Sequence, residues 1–377
     1  MSLRDKIASE IRAGGPMPFS RYMEMCLYDA EFGYYSRSME QFGKAGDFYT
    51  SSDVHAVFGR LLARQFEEMW RALGSPDRLR LLELGPGRGL FTKDVLDWSE
   101  KKWPEFFRAI TYTLIEKSTS LRARLQSTLD RHVRAGKVEV APEMRKGLLD
   151  EPTIIFGNEF FDAFPVEVVS AAGMLHLEAN ENRLQETFLP VPAKVDEHLD
   201  RYSVRPEGNE RLEAGLAAYE AMRELAKLTE RGFVIFIDYG YTREEQLAGR
   251  HRGTVMSYRG HSTSANPYEA PGEQDITAHV NFSALAAAAQ LERMQVEKLL
   301  TQSQFLMGIG EVNQFADAFE ECRLPQEQAK VALQLKHLVT PIGMGETFHV
   351  LVASKGVPVE AREKLSGLKF GFSQIAH

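Results

Sequence analysis

The chain has 377 residues, of which 44% are hydrophobic and 26% are charged, and its formal net charge is −8. This length exceeds one typical domain of about 100–200 residues, so we expect an α/β domain that carries large insertions or a second lobe. The negative charge disfavours nucleic acid and anionic membranes as partners. Two cysteines are too few for a disulfide framework, and no zinc-ligand spacing occurs, so we predict no bound metal.

The N-terminal segment includes Asp5 and Glu10 and has no continuous apolar core, which argues against a signal or transit peptide. No apolar run approaches the ~20 residues that a membrane-spanning helix requires. The low cysteine content suits a reducing compartment. We therefore expect a cytoplasmic protein with no integral membrane segment.

The N-terminal part of the chain predicts helices over 3–13, 20–29 and 54–73, because apolar residues recur there at helical spacing. Together they predict a helical N-terminal lobe over 1–77. Residues 32–53, between the second and third of these helices, are rich in glycine and aromatic residues. Because loops often carry functional groups, we treat this stretch as a candidate functional loop.

From about residue 78 the pattern alternates between apolar strands and helices. Strands are predicted at 79–85, 111–117, 137–141 and 153–158, with helices at 89–102 and 119–133. This alternation predicts a doubly wound α/β sheet of parallel strands. Functional residues of such a sheet lie beyond the carboxyl ends of its strands.

After Pro165 the pattern changes to short antiparallel strands and a long helix at 208–230, so we predict an α+β insertion over 164–230. The sheet resumes at 232–240. Residues 241–280 are polar and too long for an idle connection, which makes them a second candidate functional loop. The later predicted elements are a helix at 282–291, a strand at 294–301, helices within 303–336 and a strand at 347–354. The core is thus predicted to comprise 78–163 and 231–356, followed by a tail at 357–377.

A glycine-rich turn, Glu83-Leu84-Gly85-Pro86-Gly87-Arg88-Gly89, follows the first predicted core strand and opens a helix. Glycines let a ligand approach the backbone, and amides at the helix start point toward that ligand. The alternative is a tight turn that binds nothing. We favour a ligand site, because three alternating glycines stand at this strand-to-helix position.

Two neighbouring features decide which ligand this turn suits. A dinucleotide fingerprint requires glycine where this chain has Leu90. Repulsion between the Glu83 carboxylate and a pyrophosphate would cost roughly 3 kcal/mol per phosphate charge at ~6 Å and an effective dielectric of about 20. The same carboxylate would attract a sulfonium or ammonium cation. Glu116 ends the second core strand, where a carboxylate can accept both ribose hydroxyls, although a solvated acid is the alternative. We therefore predict S-adenosylmethionine as the cofactor.

Residues Asn158 to Pro165 follow the fourth predicted strand and include the acids Glu159 and Asp162 with three phenylalanines. We favour an acceptor pocket formed by Asn158, Glu159 and Asp162. The alternative is a helix start that Asn158 caps and whose dipole the two acids favour.

Residues 46–53 are equally consistent with a cofactor cover, which would use Asp47, Thr50 and Ser51, and with a cap for the following helix. No nucleophile elbow occurs in the sequence. His279 is a lone histidine, a type that is more often structural than ligating.

The chain resembles the MidA-type family of class I methyltransferases over about residues 16–355, with ELGPGRG, GDFYTSSD, GNEFFDAFPVE, IDYGY and GEQDITAHVNF as the shared motifs. The resemblance implies a seven-stranded, Rossmann-like methyltransferase sheet with a helical N-terminal lobe and a large insertion after the fourth strand. It implies cofactor contacts at Glu83, Gly85, Gly87, Gly89 and Glu116, with Asp47 to Ser51 nearby and with Asn158 and Glu159 facing the transferring methyl. The family loop usually reads TSPE where this chain reads Thr50-Ser51-Ser52-Asp53, which keeps the acid and loses the proline.

The resemblance also implies a protein substrate. Mitochondrial members of that family are protein arginine methyltransferases that assist respiratory complex I assembly, and the N-terminus favours the bacterial type. Carboxylates at Glu159 and Asp162 could then hold a guanidinium group. The alternatives are a cofactor-binding assembly protein without catalysis and a small-molecule O- or N-methyltransferase; the oligomeric state is left open between monomer and dimer.

Overall fold

The structure is a computed structural model that describes residues 2–36, 56–145, 147–180, 183–259, 262–264, 266–341 and 343–369. The chain forms two compact units. The sheet unit comprises Tyr49–Phe160, Leu225–Asp238 and Ala289–His377. The mixed unit comprises Met1–Phe48, Phe161–Glu224 and Tyr239–Ala288.

The described strands are β1 Met17–Pro18, β2 Leu79–Leu84, β3 Ile110–Ile115, β4 Val138–Ala141, β5 Thr153–Asn158, β6 Glu167–Ser170, β7 Gly173–Asn180, β8 Arg183–Leu189, β9 Arg211–Ala214, β10 Gly232–Tyr241, β11 Met256–Arg259, β12 Ser262–Ser264, β13 Asp275–Thr277, β14 Val280–Asn281, β15 Gln295–Val296, β16 Leu300–Thr301 and β17 Phe348–Lys355. The described α-helices are α1 Leu3–Gly14, α2 Phe19–Tyr28, α3 Ala56–Ala72, α4 Leu90–Lys102, α5 Pro104–Ala109, α6 Thr119–Thr128, α7 Asp130–Arg134, α8 Ala193–Tyr202, α9 Leu216–Leu228, α10 Arg243–Leu247, α11 Phe282–Leu291, α12 Gln302–Glu311, α13 Ala316–Phe319, α14 Pro325–Val339 and α15 Val359–Arg362. Short 3₁₀ helices cover Tyr34–Ser36 and Ser366–Leu368.

Parallel strands form the middle of the sheet in the sheet unit. β2 pairs with β3 and with β5, β3 pairs with β4, and β5 pairs with β10, each in parallel. The main path of described strands runs β15–β17–β10–β5–β2–β3–β4, with β16 beside β17. These seven strands along the path confirm the predicted Rossmann-like α/β sheet.

The strand order reverses at β2, because β3 lies on one side of it and β5 on the other. In an open α/β sheet, the ligand crevice opens at such a point, outside the carboxyl ends of the strands. Leu84 ends β2, and its register partners are Ile115 in β3 and Gly157 in β5. Residues that follow these three strands therefore share one edge of the sheet.

Aromatic rings pack helices α3 and α4 against this sheet. Phe91 of α4 stacks on Phe156 of β5 with ring centroids 4.5 Å apart, and Phe66 of α3 meets Phe156 edge-on at 5.6 Å. All three side chains are buried. Burial of each such ring contributes about 1.5–3 kcal/mol, so apolar packing holds both helices on the sheet.

Gly157 of β5 lies against two aromatic side chains, Phe160 and Phe236. A Cβ at Gly157 would lie 2.8 Å from ring carbons of Phe236 and 3.2 Å from Cβ of Phe160. Those two rings stack with centroids 6.2 Å apart and planes 22° apart. The position therefore has no room for a side chain.

The mixed unit combines α1 and α2 with antiparallel strands. Its larger described sheet has the order β1–β7–β6–β9 with β8 beside β7, and β11 pairs separately with β12 and β13. The last two residues of β10 pair in parallel with β14. Ile7, Tyr22, Leu177 and Ile276 are fully buried in one apolar cluster, which joins both helices to the strands.

The helical lobe predicted over 1–77 divides between the two units. α1 and α2 belong to the mixed unit, whereas α3 belongs to the sheet unit. Helical periodicity shows which face of a helix is apolar but not which core that face joins. The predicted core boundary at 163 also differs, because the chain enters the mixed unit at Phe161. Asp162 therefore belongs to the mixed unit.

Three other predicted elements differ from the structure. The helix predicted over 208–230 is divided into β9 and α9, because residues of β9 pair with β6 in an antiparallel ladder. The predicted loop at 241–280 contains α10 and the strands β11 to β14. The strand predicted at 294–301 is two short strands, β15 and β16. Pairing with residues distant along the chain forms the strands in each of these cases, and local pattern does not show that pairing.

Among the described helices, none has both the length and the apolar composition needed to cross a bilayer.

We predict that Gly157→Ala destabilises the protein by about 1–3 kcal/mol, because the new methyl group overlaps the Phe236 ring. Chemical denaturation measures the change in the free energy of unfolding. Gly14→Ala is the matched control, since a Cβ there meets no described residue within 4 Å and a helical alanine is favourable. Equal effects of the two substitutions would show that the close approach at Gly157 is not a constraint.

Candidate active site

The glycine-rich turn at the end of β2 adopts a backbone that other residues rarely reach. Gly85, Gly87 and Gly89 have φ angles of +65°, +52° and +74°. The Gly89 amide donates a 2.9 Å hydrogen bond to the carbonyl of Pro86, and Gly89 is the N-cap of α4. Glycine adopts these left-handed angles without steric cost, so the sequence and the turn geometry agree.

The three glycines differ in what surrounds them. A Cβ at Gly89 would lie 2.7 Å from Cδ2 of Leu125, and one at Gly85 would lie 3.3 Å from Cδ2 of Phe160. Among the described residues, nothing lies within 4 Å of a Cβ at Gly87. The positive φ angles favour glycine at all three positions, and the described residues leave the centre of the turn open to a ligand.

Glu83 lies beneath this turn, with only 4% of its surface exposed. Its carboxylate accepts a 2.7 Å hydrogen bond from the hydroxyl of Thr92 in the first turn of α4. Burial raises the pKa of Glu83 to about 7, and the Thr92 hydrogen bond opposes that rise. A cation bound at the turn would favour the charged carboxylate and lower this pKa.

Glu116 follows β3 and presents a half-buried carboxylate. Its Oε1 accepts a 2.7 Å hydrogen bond from the Ser118 amide, and its own amide donates to the Ala141 carbonyl at 3.0 Å. Burial raises its pKa, and the Ser118 hydrogen bond opposes that rise. The backbone thus fixes this carboxylate at the edge of the sheet, where it is suited to accept hydroxyl donors.

Asn158 ends β5, and Glu159 follows it in a left-handed conformation with φ +50°. The side-chain amide of Asn158 donates to Oε1 of Glu159 at 3.0 Å. The backbone amide of Glu159 donates to the Ile237 carbonyl at 2.9 Å. No helix begins between residues 159 and 166, so the alternative in which Asn158 caps a helix is wrong. A non-glycine residue in this region costs about 1–3 kcal/mol and is often found at functional sites.

Asp238 holds the turn after Glu159. The backbone amide of Phe160 donates a 3.0 Å hydrogen bond to Oδ2 of Asp238, a buried residue of β10. The predicted strand at 232–240 includes Asp238, but the sequence assigned this residue no role. Its contact with Phe160 joins residues 78 positions apart, so no local signal could have shown this role.

The predicted residues of the sheet unit therefore lie at the ends of neighbouring strands. The glycine turn follows β2, Glu116 follows β3, and Asn158 with Glu159 ends and follows β5. This edge offers an open glycine backbone, a buried acid for a cation and a carboxylate for ribose hydroxyls, so it fits S-adenosylmethionine. Asp47, Thr50 and Ser51 lie outside the described residues, and their roles remain predictions.

Asp162 is buried in the mixed unit. The hydroxyl of Tyr239 donates to its Oδ2, and its carbonyl accepts a 3.0 Å hydrogen bond from the Ala278 amide. Burial raises the pKa of Asp162 to about 6, while the Tyr239 hydrogen bond opposes that rise. Across the described ranges, no group of three or more His, Cys, Asp or Glu side chains is arranged to hold a metal ion.

A family model described as "Putative S-adenosyl-L-methionine-dependent methyltransferase" matches residues 61–299, which is more than half of the chain. The chain belongs to this methyltransferase family. The match includes the glycine turn, Glu116 and the residues after β5. Membership confirms the predicted S-adenosylmethionine cofactor and the predicted class of enzyme.

Known relatives resemble this methyltransferase over most of their length. The mitochondrial protein arginine methyltransferase NDUFAF7 homolog of Drosophila melanogaster is 27% identical over 94% of this chain and 85% of that protein. The mitochondrial protein arginine methyltransferase NDUFAF7 of Homo sapiens is 27% identical over 90% of this chain and 80% of that protein. A crystal structure from Burkholderia thailandensis, bound to S-adenosyl-homocysteine, has 28% identity and a TM-score of 0.82, covering 94% of this chain and 92% of that one.

We predict that the affinity of this methyltransferase for S-adenosylmethionine rises by about eightfold between pH 6 and 7.5. A bound cation favours the charged form of Glu83, whose pKa in the cofactor-free protein is about 7, so binding releases a proton below that pH. Titration calorimetry at several pH values measures the change. Glu83→Gln should bind more weakly at pH 7.5 and lose the pH dependence, whereas Glu105→Gln, at an exposed position, should keep it. Unchanged pH dependence in Glu83→Gln would remove Glu83 from the cofactor site.

The raised pKa of Glu83 also predicts how the free energy of unfolding varies with pH. Folding raises its pKa from 4.5 to about 7, so the folded protein holds this proton more tightly than the unfolded chain. Its contribution to the free energy of unfolding therefore falls as the pH rises from about 4.5 through 7, by on the order of 2–3 kcal/mol between pH 5 and 8. Chemical denaturation at pH 5 and at pH 8 measures the free energy of unfolding. Its decrease between the two pH values should be larger in wild type than in Glu83→Gln by this amount. An identical fall in both proteins would contradict the prediction.

Proposed function

We propose that this enzyme transfers methyl groups to arginine side chains of a protein substrate. The observation that carries the proposal is Glu159, a carboxylate in a left-handed conformation at the sheet edge that bears the glycine turn. A carboxylate accepts two parallel hydrogen bonds from a guanidinium group, which is planar and always charged near neutral pH. A residue in this conformation is retained where the surrounding structure holds it in place.

The relatives support the same substrate class. Proteins from Drosophila melanogaster, Danio rerio and Homo sapiens that match most of this chain are named protein arginine methyltransferases. Together with Glu159, these names favour a protein arginine over a small-molecule acceptor. A respiratory complex I subunit, which the family resemblance implies, is the specific acceptor that we propose. The cytoplasmic location and the choice between monomer and dimer stay predictions.

The chemistry requires the acceptor nitrogen to lose its proton. When bound, S-adenosylmethionine supplies a methyl group on a sulfonium, which passes in line to the attacking nitrogen and leaves S-adenosyl-homocysteine. The pKa of guanidinium exceeds ~12, so the nitrogen must release a proton to solvent water during or after formation of the new N–C bond. Alignment of the acceptor is therefore the main task of the protein.

The residues of this chain divide that task. Glu159 would hold the guanidinium through two hydrogen bonds and draw its positive charge away from the attacking nitrogen. Asn158 donates to Oε1 of Glu159, which restricts the side-chain torsions of that acid. Asp162 follows Glu159 by three residues along the chain, and its predicted action on the cationic acceptor is part of this proposal.

We predict that Glu159→Gln lowers the rate of protein methylation by at least about tenfold, because the neutral amide no longer attracts the guanidinium charge. Cofactor affinity should stay within about twofold. The assay uses cofactor with a radiolabelled methyl group and cell extract, followed by hydrolysis of labelled protein to methylated arginines. Glu178→Gln, at an exposed position of β7, is the matched control and should retain full activity.

The same assay separates the alternatives. Label in small molecules alone would replace the proposed substrate class, and label on lysine would replace arginine. Mass spectrometry of complex I subunits from cells with and without the gene tests the specific acceptor. If every arginine methylation in those subunits persists without the gene, complex I is not the substrate.

A further inference from the structure

The mixed unit fixes both the side chain and the backbone of Asp162. Tyr239, 77 residues away along the chain, donates its hydroxyl proton to Oδ2 of Asp162. The Ala278 amide donates to the carbonyl of Asp162 at 3.0 Å. The residue is 5% exposed. Its carboxylate is therefore held by a specific donor on β10.

The ring of Tyr239 is supported in turn by His279. The two rings meet edge to face, with centroids 5.4 Å apart and planes 73° apart. The His279 amide donates to Oγ1 of Thr254 at 3.1 Å. Thr254 is anchored by Glu213, whose buried carboxylate accepts from the threonine amide at 2.8 Å and from its hydroxyl at 3.0 Å. His279, which packs on the Tyr239 ring, is thus linked through Thr254 to a buried acid of β9.

His279 also forms a pair with His251. Their Nδ1 atoms lie 3.1 Å apart, and His251 stacks on Tyr241 with ring planes 20° apart. A hydrogen bond between two imidazole nitrogens needs one donor and one acceptor, so the two Nδ1 atoms share a single proton. This hydrogen bond and the ring contact with Tyr239 together hold the His279 ring in place.

We propose that Tyr239 is a positioning residue for Asp162, and that the His251–His279 pair holds the Tyr239 ring so that its hydroxyl favours the ionised carboxylate. The inference rests on the proposed function, because it gives that carboxylate a role on a cationic acceptor. A hydroxyl that donates to an acid favours the charged form of the acid. The charged form is the one that attracts a guanidinium group.

Other titratable groups face the same acid. Tyr35 of the 3₁₀ helix and Tyr258 of β11 interact electrostatically with Asp162 and with Asp275 of β13. The Tyr35 hydroxyl donates to Oδ1 of Asp275 at 3.0 Å, so its hydrogen bond goes to the other carboxylate. The Tyr239 hydroxyl gives the largest of the hydrogen-bond effects that lower the pKa of Asp162 against burial, ahead of the backbone amides of Ala163 and Asp162. Removal of that hydroxyl should therefore have an effect that its neighbours do not reproduce.

The test measures kcat/KM for the acceptor, as the initial rate at which the full-length enzyme transfers label from saturating radiolabelled S-adenosylmethionine to subsaturating protein of a cell extract, from pH 5 to 9. The pH profile of kcat/KM reports the enzyme before the acceptor binds, so in wild type its acidic limb should have its midpoint near the pKa of Asp162, about 6. Tyr239→Phe should move that midpoint up by about one pH unit, which lowers kcat/KM about fivefold at pH 6 and by less than twofold at pH 8.5. The KM for S-adenosylmethionine should stay within about twofold.

Tyr219→Phe removes a hydroxyl elsewhere in the mixed unit, where Tyr219 stacks on Tyr202, and should leave the profile unchanged. His279→Asn removes the supporting ring and should shift the limb in the same direction by a smaller amount. It also serves as the test if Tyr239→Phe does not fold. A uniform loss of kcat/KM at every pH, with the limb unmoved in the folded variants, would show a merely structural role and overturn the inference.

Asp162→Asn distinguishes this inference from the function on which it rests. If Asp162→Asn keeps the wild-type rate and the acidic limb, Asp162 does not act on the acceptor, and that part of the proposed function fails. If Asp162→Asn lowers kcat/KM strongly while Tyr239→Phe leaves the limb in place, only the positioning role fails. A strong loss in Asp162→Asn with a shifted limb in Tyr239→Phe supports both.

Discussion

The pairing of β2 with β3 on one side and β5 on the other determines where this enzyme can bind a ligand. Because all three strands run in parallel, their carboxyl ends meet at one edge, and the order of strands reverses there. The glycine turn, Glu116 and Glu159 follow those ends. Stacked rings of Phe91 and Phe156 hold α4 on β5, so the start of that helix stays beside the same edge.

Main-chain hydrogen bonds give this edge its shape. Glu159 takes a left-handed conformation while its amide donates to the Ile237 carbonyl, and the next amide donates to Asp238. Both acceptors belong to β10, the neighbour of β5 in the sheet. The strained residue is thus held by the strand pairing itself. A site built on paired strands keeps its geometry better than one built on a loop.

The pKa values of two buried acids, Glu83 and Asp162, reflect the same two opposing effects. Burial raises the pKa of Glu83 to about 7 and that of Asp162 to about 6, and a neutral hydroxyl, from Thr92 or Tyr239, opposes the rise in each case. Both acids can therefore ionise near neutral pH, where a cationic ligand gains most from them. Glu83 suits the cofactor cation, and Asp162 suits a cationic acceptor in the proposed reaction.

The sequence by itself determined the alternating strands and helices, the glycine turn and the cofactor, because strand period and left-handed glycine geometry are encoded by neighbouring residues. Only the tertiary structure decided that α3 joins a different core from α1 and α2, that no helix follows Asn158, and that β9 interrupts a predicted helix. It also decided that Tyr239 meets Asp162 and that Asp238 meets Phe160. Those contacts join residues 77 and 78 positions apart, one pair within the mixed unit and the other within the sheet unit, so no local pattern in the chain could specify them.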